Sequence, residues 1–171
     1  QIETAQGKFR AVGLGAELFE HPRRLIARLT AGTQCVGKDL PLGHGMLDRY
    51  PNLKVGFLEF GAEWILYMVP RLDHYLPIDR SQMPIKTELP QRAIEEYAKS
   101  GRIFIAGEAG DKLLPQEIDL LGEEQILYSS DLPHGEGRHN AAKEIIARKD
   151  INERQKQKIL YHNAIKFFGD P

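Results

Sequence analysis

Residues Gln125 to Gly137, QILYSSDLPHGEG, run apolar, halt at a single aspartate and turn into a loop of glycine and histidine. An acid set just past an apolar strand is costly to bury unless it is paired, hydrogen-bonded or bound to a metal ion. Two earlier stretches end in the same way. LKVGFLEF, bounded by Asn52 and Gly61, reaches Glu59, and RIFIAGE, from Arg102, reaches Glu108. A lone acid after a strand is more often a cap for the next turn. Three in series, Glu59, Glu108 and Asp131, shift the balance toward a shared site.

Between these strands lie helical patterns. Glu63 to Tyr75 carries Ile65, Met68, Val69 and Leu72 at helical spacing, with Pro70 expected to kink it. A polar, proline-containing linker, LPIDRSQMPIKTELP, is expected to follow. Pro90 opens a helix to Lys99 that Gly101 ends, and Pro115 to Leu121 forms a short helix closed by Gly122. Helices are expected over Asn140 to Arg148 and Ile151 to Phe168, the second capped by Asp150 with Glu153 three residues on. Upstream, HPRRLIARLTAG from His21 reads as a helix, and a short one covers Leu40 to Tyr50. Strands alternating with helices predict an α/β fold of parallel strands joined by right-handed crossovers, with active-site residues at the strands' carboxyl ends.

The 171 residues suit a single domain, 1–171, with one sizeable core. Lys and Arg number 23 against 24 Asp and Glu, so the net charge of -1 gives no reason to expect nucleic acid or an anionic membrane as partner. Cys35 is the only cysteine, which excludes an intrachain disulfide and fits a reducing cytoplasm. No apolar run approaches the roughly 20 residues of a membrane span, and QIETAQGKF has neither region of a signal peptide. A start without Met is read as the mark of a processed or partial polypeptide.

Other signals are weaker. His134 and His139 share a loop, but no second cluster supports a metal pair, and His139 reads as a surface residue. His74 and His162 read as helix-surface or packing residues; His44 is given no role, and His21 at most a minor one at the rim. VGLGAEL lacks the third glycine of a dinucleotide fingerprint. Trp64 is either a pocket wall beyond Glu59 or a core aromatic. Arg71 and Asp73 are expected to form an ion pair. Ser129 and Ser130 lie within a strand, not on a nucleophile elbow, so acyl-enzyme chemistry is not expected.

Three stretches together resemble the carboxyl-terminal half of the amidohydrolase-related family, in the branch containing aminocarboxymuconate-semialdehyde decarboxylase and γ-resorcylate decarboxylase. They are RYPNLKVGFLEFGAEWILYMVPRLDHY, IFIAGEAGDKLLPQEIDLLGEEQILYSSDLPHGEG and ILYHNAIKFFGDP. The resemblance implies a (β/α)8 barrel holding a divalent metal, commonly zinc, and a metal-dependent hydrolase or non-oxidative decarboxylase acting on a small carboxylated or cyclic substrate. It makes Asp131 a metal ligand and proton carrier. His134 and Glu136 would face or brace the site, and Glu108, His134 and Trp64 would contact substrate. Glu59 stands where the zinc decarboxylases have histidine. It is either a ligand, shifting preference toward iron or manganese, or a hydrogen-bonding group beside a reduced site.

A barrel of eight strands needs about 250 residues, and the family's His-x-His motif is absent from this chain. The chain is therefore expected to supply roughly the second half of a barrel, completed by an amino-terminal half or a second subunit in a homo- or hetero-oligomer. Two further readings stay open: an iron-dependent oxygen-activating relative, and a non-catalytic half-barrel partner.

Overall fold

The computed structural model describes residues 2–4, 7–9, 16–21, 24–29, 42, 45–58, 61–82, 89–133, 135 and 137–169. A two-stranded antiparallel ribbon, β1 (Ile2–Thr4) and β2 (Gly7–Phe9), precedes a five-stranded sheet. That sheet is ordered β3 (Ala16–His21), β4 (Arg24–Leu29), β5 (Lys54–Leu58), β6 (Ile103–Gly107) and β7 (Ile126–Tyr128). β3 and β4 form an antiparallel hairpin, and β4 to β7 are parallel. The helices are α1 (Met46–Arg49), α2 (Trp64–Gln82), α3 (Ile94–Ala98), α4 (Leu114–Leu121), α5 (Ala141–Ala147), α6 (Glu153–Gln157) and α7 (Asn163–Phe168). A π-helical turn, Lys158–His162, joins the last two.

Alternation along each strand divides the core in two. Val55 and Phe57, Ile103 and Ile105, and Ile126 face the helices and pack with Ile65, Val69, Ile94, Leu114, Ile118 and Leu121. Phe104, Ala106 and Leu127 face the other way. That second face is sealed by Phe167, whose ring centroid lies 4.8 Å from that of Phe104. The fit depends on Gly56, where a Cβ would stand 2.7 Å from Phe167 Cζ. Lys54 at the start of β5 donates from Nζ to the Lys166 carbonyl at 2.6 Å, fixing the same end of α7.

Two buried side-chain amides hold the frame. Gln125, at the entrance to β7, donates from Nε2 to the carbonyls of Ala98 at 2.5 Å and Ile103 at 2.7 Å. Its Oε1 accepts from the Gly101 N–H at 2.8 Å, so one side chain joins the end of α3, the turn and the start of β6. Asn163 donates from Nδ2 to Glu123 O at 2.9 Å and Ile126 O at 2.7 Å, fastening α7 to β7.

Several sequence expectations change. The helix expected from His21 is replaced by the β3–β4 hairpin. RLIARL alternates as well as it spirals, and β5 offers a parallel partner, with Arg24 opposite Lys54. The expected linker after Tyr75 is helix as far as Gln82, because Pro70 and Pro77 both lie on the exposed side of α2 while Val69 and Leu76 are buried. On that side the missing amide bonds face water. Arg71 and Asp73 do not pair. Asp73 instead caps α3, accepting from the N–H groups of Ile94 at 2.5 Å and Glu95 at 3.1 Å, and Arg71 stacks over Tyr75 at 4.3 Å. Asn152, with Gln155, forms the capping box assigned in sequence to Asp150 and Glu153. Asp150 is bound by Arg148 instead. Cys35, His44 and the glycines of VGLGAEL lie outside the described residues.

Gln125→Leu keeps the side chain's bulk but strands three backbone groups, so chemical denaturation should show a loss on the order of 3 kcal/mol. A loss under about 0.5 kcal/mol, the scale of an ordinary surface substitution, would contradict that role.

Candidate active site

The parallel pairing of β5, β6 and β7 sets Phe57 opposite Ile105 and Gly107 opposite Tyr128. Their carboxyl ends therefore meet at one edge of the sheet. Glu108 follows β6 directly, and Ser129 extends the ladder by donating its N–H to Gly107 O at 3.3 Å. Two residues later, Asp131 sits half-buried in the left-handed region, at φ 58. It is the only non-glycine residue there among those described. Such a backbone costs roughly 1–2 kcal/mol for an L-residue, less for Asp, and strain of this kind collects where a side chain must be aimed. Its flank is pinned by the Arg138 N–H, which donates to Ser130 O at 2.8 Å, and the loop continues through a cis Leu132–Pro133 bond.

Glu108 is exposed, yet its carboxylate approaches Gly61, three residues past the end of β5. A Cβ on Gly61 would stand 3.9 Å from Glu108 Oε1 and 3.8 Å from Asp111 Oδ1. Gly61 itself has φ 62, a turn that favours glycine. Trp64, at the start of α2, donates from Nε1 to the Gly61 carbonyl at 3.1 Å and meets Phe57 edge-on at 5.1 Å. It thus props the turn above β5 while remaining partly exposed. Glu59, His134 and Glu136 lie outside the described residues. The structure brings Glu108 and Asp131 to the same edge, and Trp64 supports the Gly61 turn that the Glu108 carboxylate approaches. His74, His139 and His162 are exposed, as the sequence suggested.

Sequence reasoning missed a second acidic group behind this edge. Asp111 is buried and accepts from the Glu108 N–H at 2.8 Å, closing the turn that carries Glu108. Burial pushes its carboxyl above the usual value, the Glu108 and Ala62 amides pull it back, Glu63 raises it and Arg148 lowers it. Glu63 accepts from the Lys112 N–H at 3.1 Å. Arg148 spans the turn from the other side, donating from Nη1 to Ala109 O at 3.0 Å and Asp111 O at 2.7 Å. Gly110 lies under Arg138, whose Nη1 would be 2.8 Å from a Cβ there. Deepest is Glu117 on α4, fully buried, with neither carboxylate oxygen hydrogen-bonded to any of the described residues. Burial first, then the charges of Asp111 and Glu63, push it up to about 8, against a smaller opposing pull from Arg148. One signal did betray it: Glu117 falls on the apolar stripe Leu114, Ile118 and Leu121, where a charge has no business in a solvated reading.

Asp131 offers a hard oxygen donor of the kind a divalent metal takes. No group of three His, Cys, Asp or Glu among the described residues is placed to hold a metal ion. Asp131 alone among the described residues makes no such group, and offers one oxygen donor.

The sequence pattern of a family described as Amidohydrolase matches residues 29–169. The chain is 25% identical over 173 residues to the 2-amino-3-carboxymuconate-6-semialdehyde decarboxylase of Dictyostelium discoideum, covering 92% of this chain and 46% of that protein. It thus spans about half the length of that relative. An amidohydrolase of Mycobacterium avium subsp. paratuberculosis K-10 is similar in structure at TM-score 0.62 and 26% identity, over 75% of this chain and 31% of that one. A dihydroxybenzoic acid decarboxylase of Polaromonas sp. JS666, solved with manganese and the inhibitor 2-nitroresorcinol, matches at TM-score 0.56 and 25% identity, over 74% and 37% of the two chains. The parallel sheet is accordingly a partial (β/α)8 barrel, close to the second half that the sequence implied.

Arg148→Met retains the aliphatic stem but removes the donors for two carbonyls of the turn. Stability should fall by about 2–4 kcal/mol, and amide exchange at Ala109 to Lys112 should accelerate more than in the rest of the sheet. Unchanged exchange at these amides would show that Arg148 does not hold the turn.

Proposed function

The chain belongs to the amidohydrolase family, and from that premise we propose that Asp131 is one ligand of a divalent-metal site in a hydrolase or non-oxidative decarboxylase for a small carboxylated or cyclic substrate. The observation that carries this reading is the left-handed backbone of Asp131 at the carboxyl end of β7, on the edge it shares with Glu108. A bound metal supplies Lewis acidity, either to water or to substrate oxygens. Asp131 Oδ holds the ion and can accept or return a proton beside it. Glu108 gives the pocket a polar wall that orients a hydroxyl or amine of the substrate, and Trp64 gives it an apolar one. His134, in the loop beyond Asp131, adds a further contact.

Glu59 is proposed as a second ligand. An oxygen-rich pair of carboxylates suits manganese or iron better than it suits zinc, and the manganese in the Polaromonas decarboxylase structure is in keeping with that. The remaining ligands and the missing strands come from an amino-terminal half or second subunit. The outer edge of β7, which pairs only with β6 among the described strands, gives that half a place to join.

Elemental analysis of the native protein carrying this chain, beside its Asp131→Asn variant, tests the reading. The wild type should hold a divalent metal that the variant loses, and the rate should fall by more than about a hundredfold, since even supporting groups around a metal cost 10–100-fold. Release of carbon dioxide separates decarboxylation from hydrolysis. Iron with oxygen consumption would reassign the site to oxygen activation, and full activity and metal content in the variant would overturn the assignment of Asp131.

A further inference from the structure

The turn from Glu108 to Asp111 is held from three sides. Asp111 closes it internally, Glu63 binds the next amide from the start of α2, and Arg148 caps its carbonyls from beyond α5. Near Asp111 lies Glu117, with no solvent exposure and no hydrogen-bond partner for either oxygen among the described residues. Around Glu117 the charged groups are Asp111, Glu63 and Arg148. Among other neighbours, α3 directs Glu95, Glu96 and Lys99 outward, and α4 does the same with Asp119. From the described side chains of the sheet, Ile103, Ile105, Ile126 and Tyr128 face the helices, so the phenol of Tyr128 is the titratable group they bring to that side, and α3 adds the buried phenol of Tyr97. Ala141 and Ile145 are the buried residues of α5. The buried acids Glu117 and Asp111 thus share a water-poor space, with Glu63 exposed at its margin, and the one described guanidinium there is already committed to two carbonyls and to Asp150.

We propose that Glu117 is a proton-operated latch beneath the turn at the carboxyl end of β6: neutral, it lets Asp111 and Glu63 hold the turn shut, and ionised, it drives the turn open. The physical basis is like-charge repulsion without solvent. Asp111 and Glu63 are each engaged by a backbone N–H, whereas a charge on the fully buried Glu117 has no hydrogen-bond donor among the described residues. Opening the turn brings water to Glu117 and separates it from Asp111. Because Glu108 rides on this turn, the latch sets the position of one wall of the edge. The inference does not depend on which reaction occurs there.

The sign of the pH effect follows from linkage. A carboxyl held at about 8 when closed, against its usual value of 4.5, binds its proton more tightly in the closed state. Closure is therefore unaffected by Glu117 below pH 4.5, weakens as pH rises and levels off above about pH 8. Between those limits the population of the open turn should rise about tenfold per pH unit.

Hydrogen exchange by mass spectrometry on the protein carrying this chain, corrected for the pH dependence of chemical exchange, reads this directly. A peptide covering 108–113 should show the rise in wild type, and Glu117→Gln, which mimics the neutral acid, should be flat. Infrared difference spectra of the wild type should show a protonated carboxyl that disappears near pH 8. Those spectra decide the matter even if the variant fails to fold. No such carboxyl band, an equal slope in Glu117→Gln, or a slope shared equally by α7 would each overturn the latch.

Discussion

The side-chain amide of Gln125 is the contact on which the rest of the structure rests. It is buried at the one place where the end of α3, the turn at Gly101, β6 and β7 come together, and it satisfies a backbone group in three of them. Buried polar groups cost stability unless every bond is made, so such a contact admits one arrangement and penalises its neighbours. It fixes where β6 and β7 begin. With strand length constant, it also fixes where they end, and Glu108 and Asp131 land on one edge as a result.

Charge is distributed unevenly about that frame. At the amino end of β7 the acids are well provided for. Glu123 meets Lys158 and Arg154, and Glu124 meets Lys158 and Lys166, of which Lys166 first and Lys158 next hold the Glu124 carboxyl down at about 2. At the carboxyl end Arg148 is the described cation that lowers both Asp111 and Glu117, and burial pushes both upward. The contacts of Glu123 and Glu124 join α6 and α7 to the sheet at one end, while at the other the buried carboxyls Asp111 and Glu117 lie behind the edge that carries Glu108.

Most of the second half of this architecture could be read from residue pattern. The runs around Val55, Ile103 and Ile126 were unambiguous because their apolar residues sit between Gly, Pro and Asn breakers, and the acids past their ends were visible as a series. What was not legible depended on partners distant in sequence. RLIARL fits two periodicities, and only the presence of β5 decides between them. Asp73 looked like half of an ion pair because its true partners, the first amides of α3, lie about 20 residues away in the chain. Asp111 and Arg148 gain their roles from a turn that no local spacing describes. Glu117 was the exception, an acid on an apolar stripe that could have been singled out at once.

The wide turn at Lys158–His162 matters for what comes after it. Ile159, Asn163 and Phe167 recur every four residues and all are buried, with the π-helical geometry keeping the first two in line. Each residue of helix turns the following chain by about 100°. Phe167 reaches the floor of the sheet, and Asn163 reaches β7, because that turn is one residue looser than an α-helix. A deletion there would leave every side chain of α7 in place in the sequence and aim all of them elsewhere.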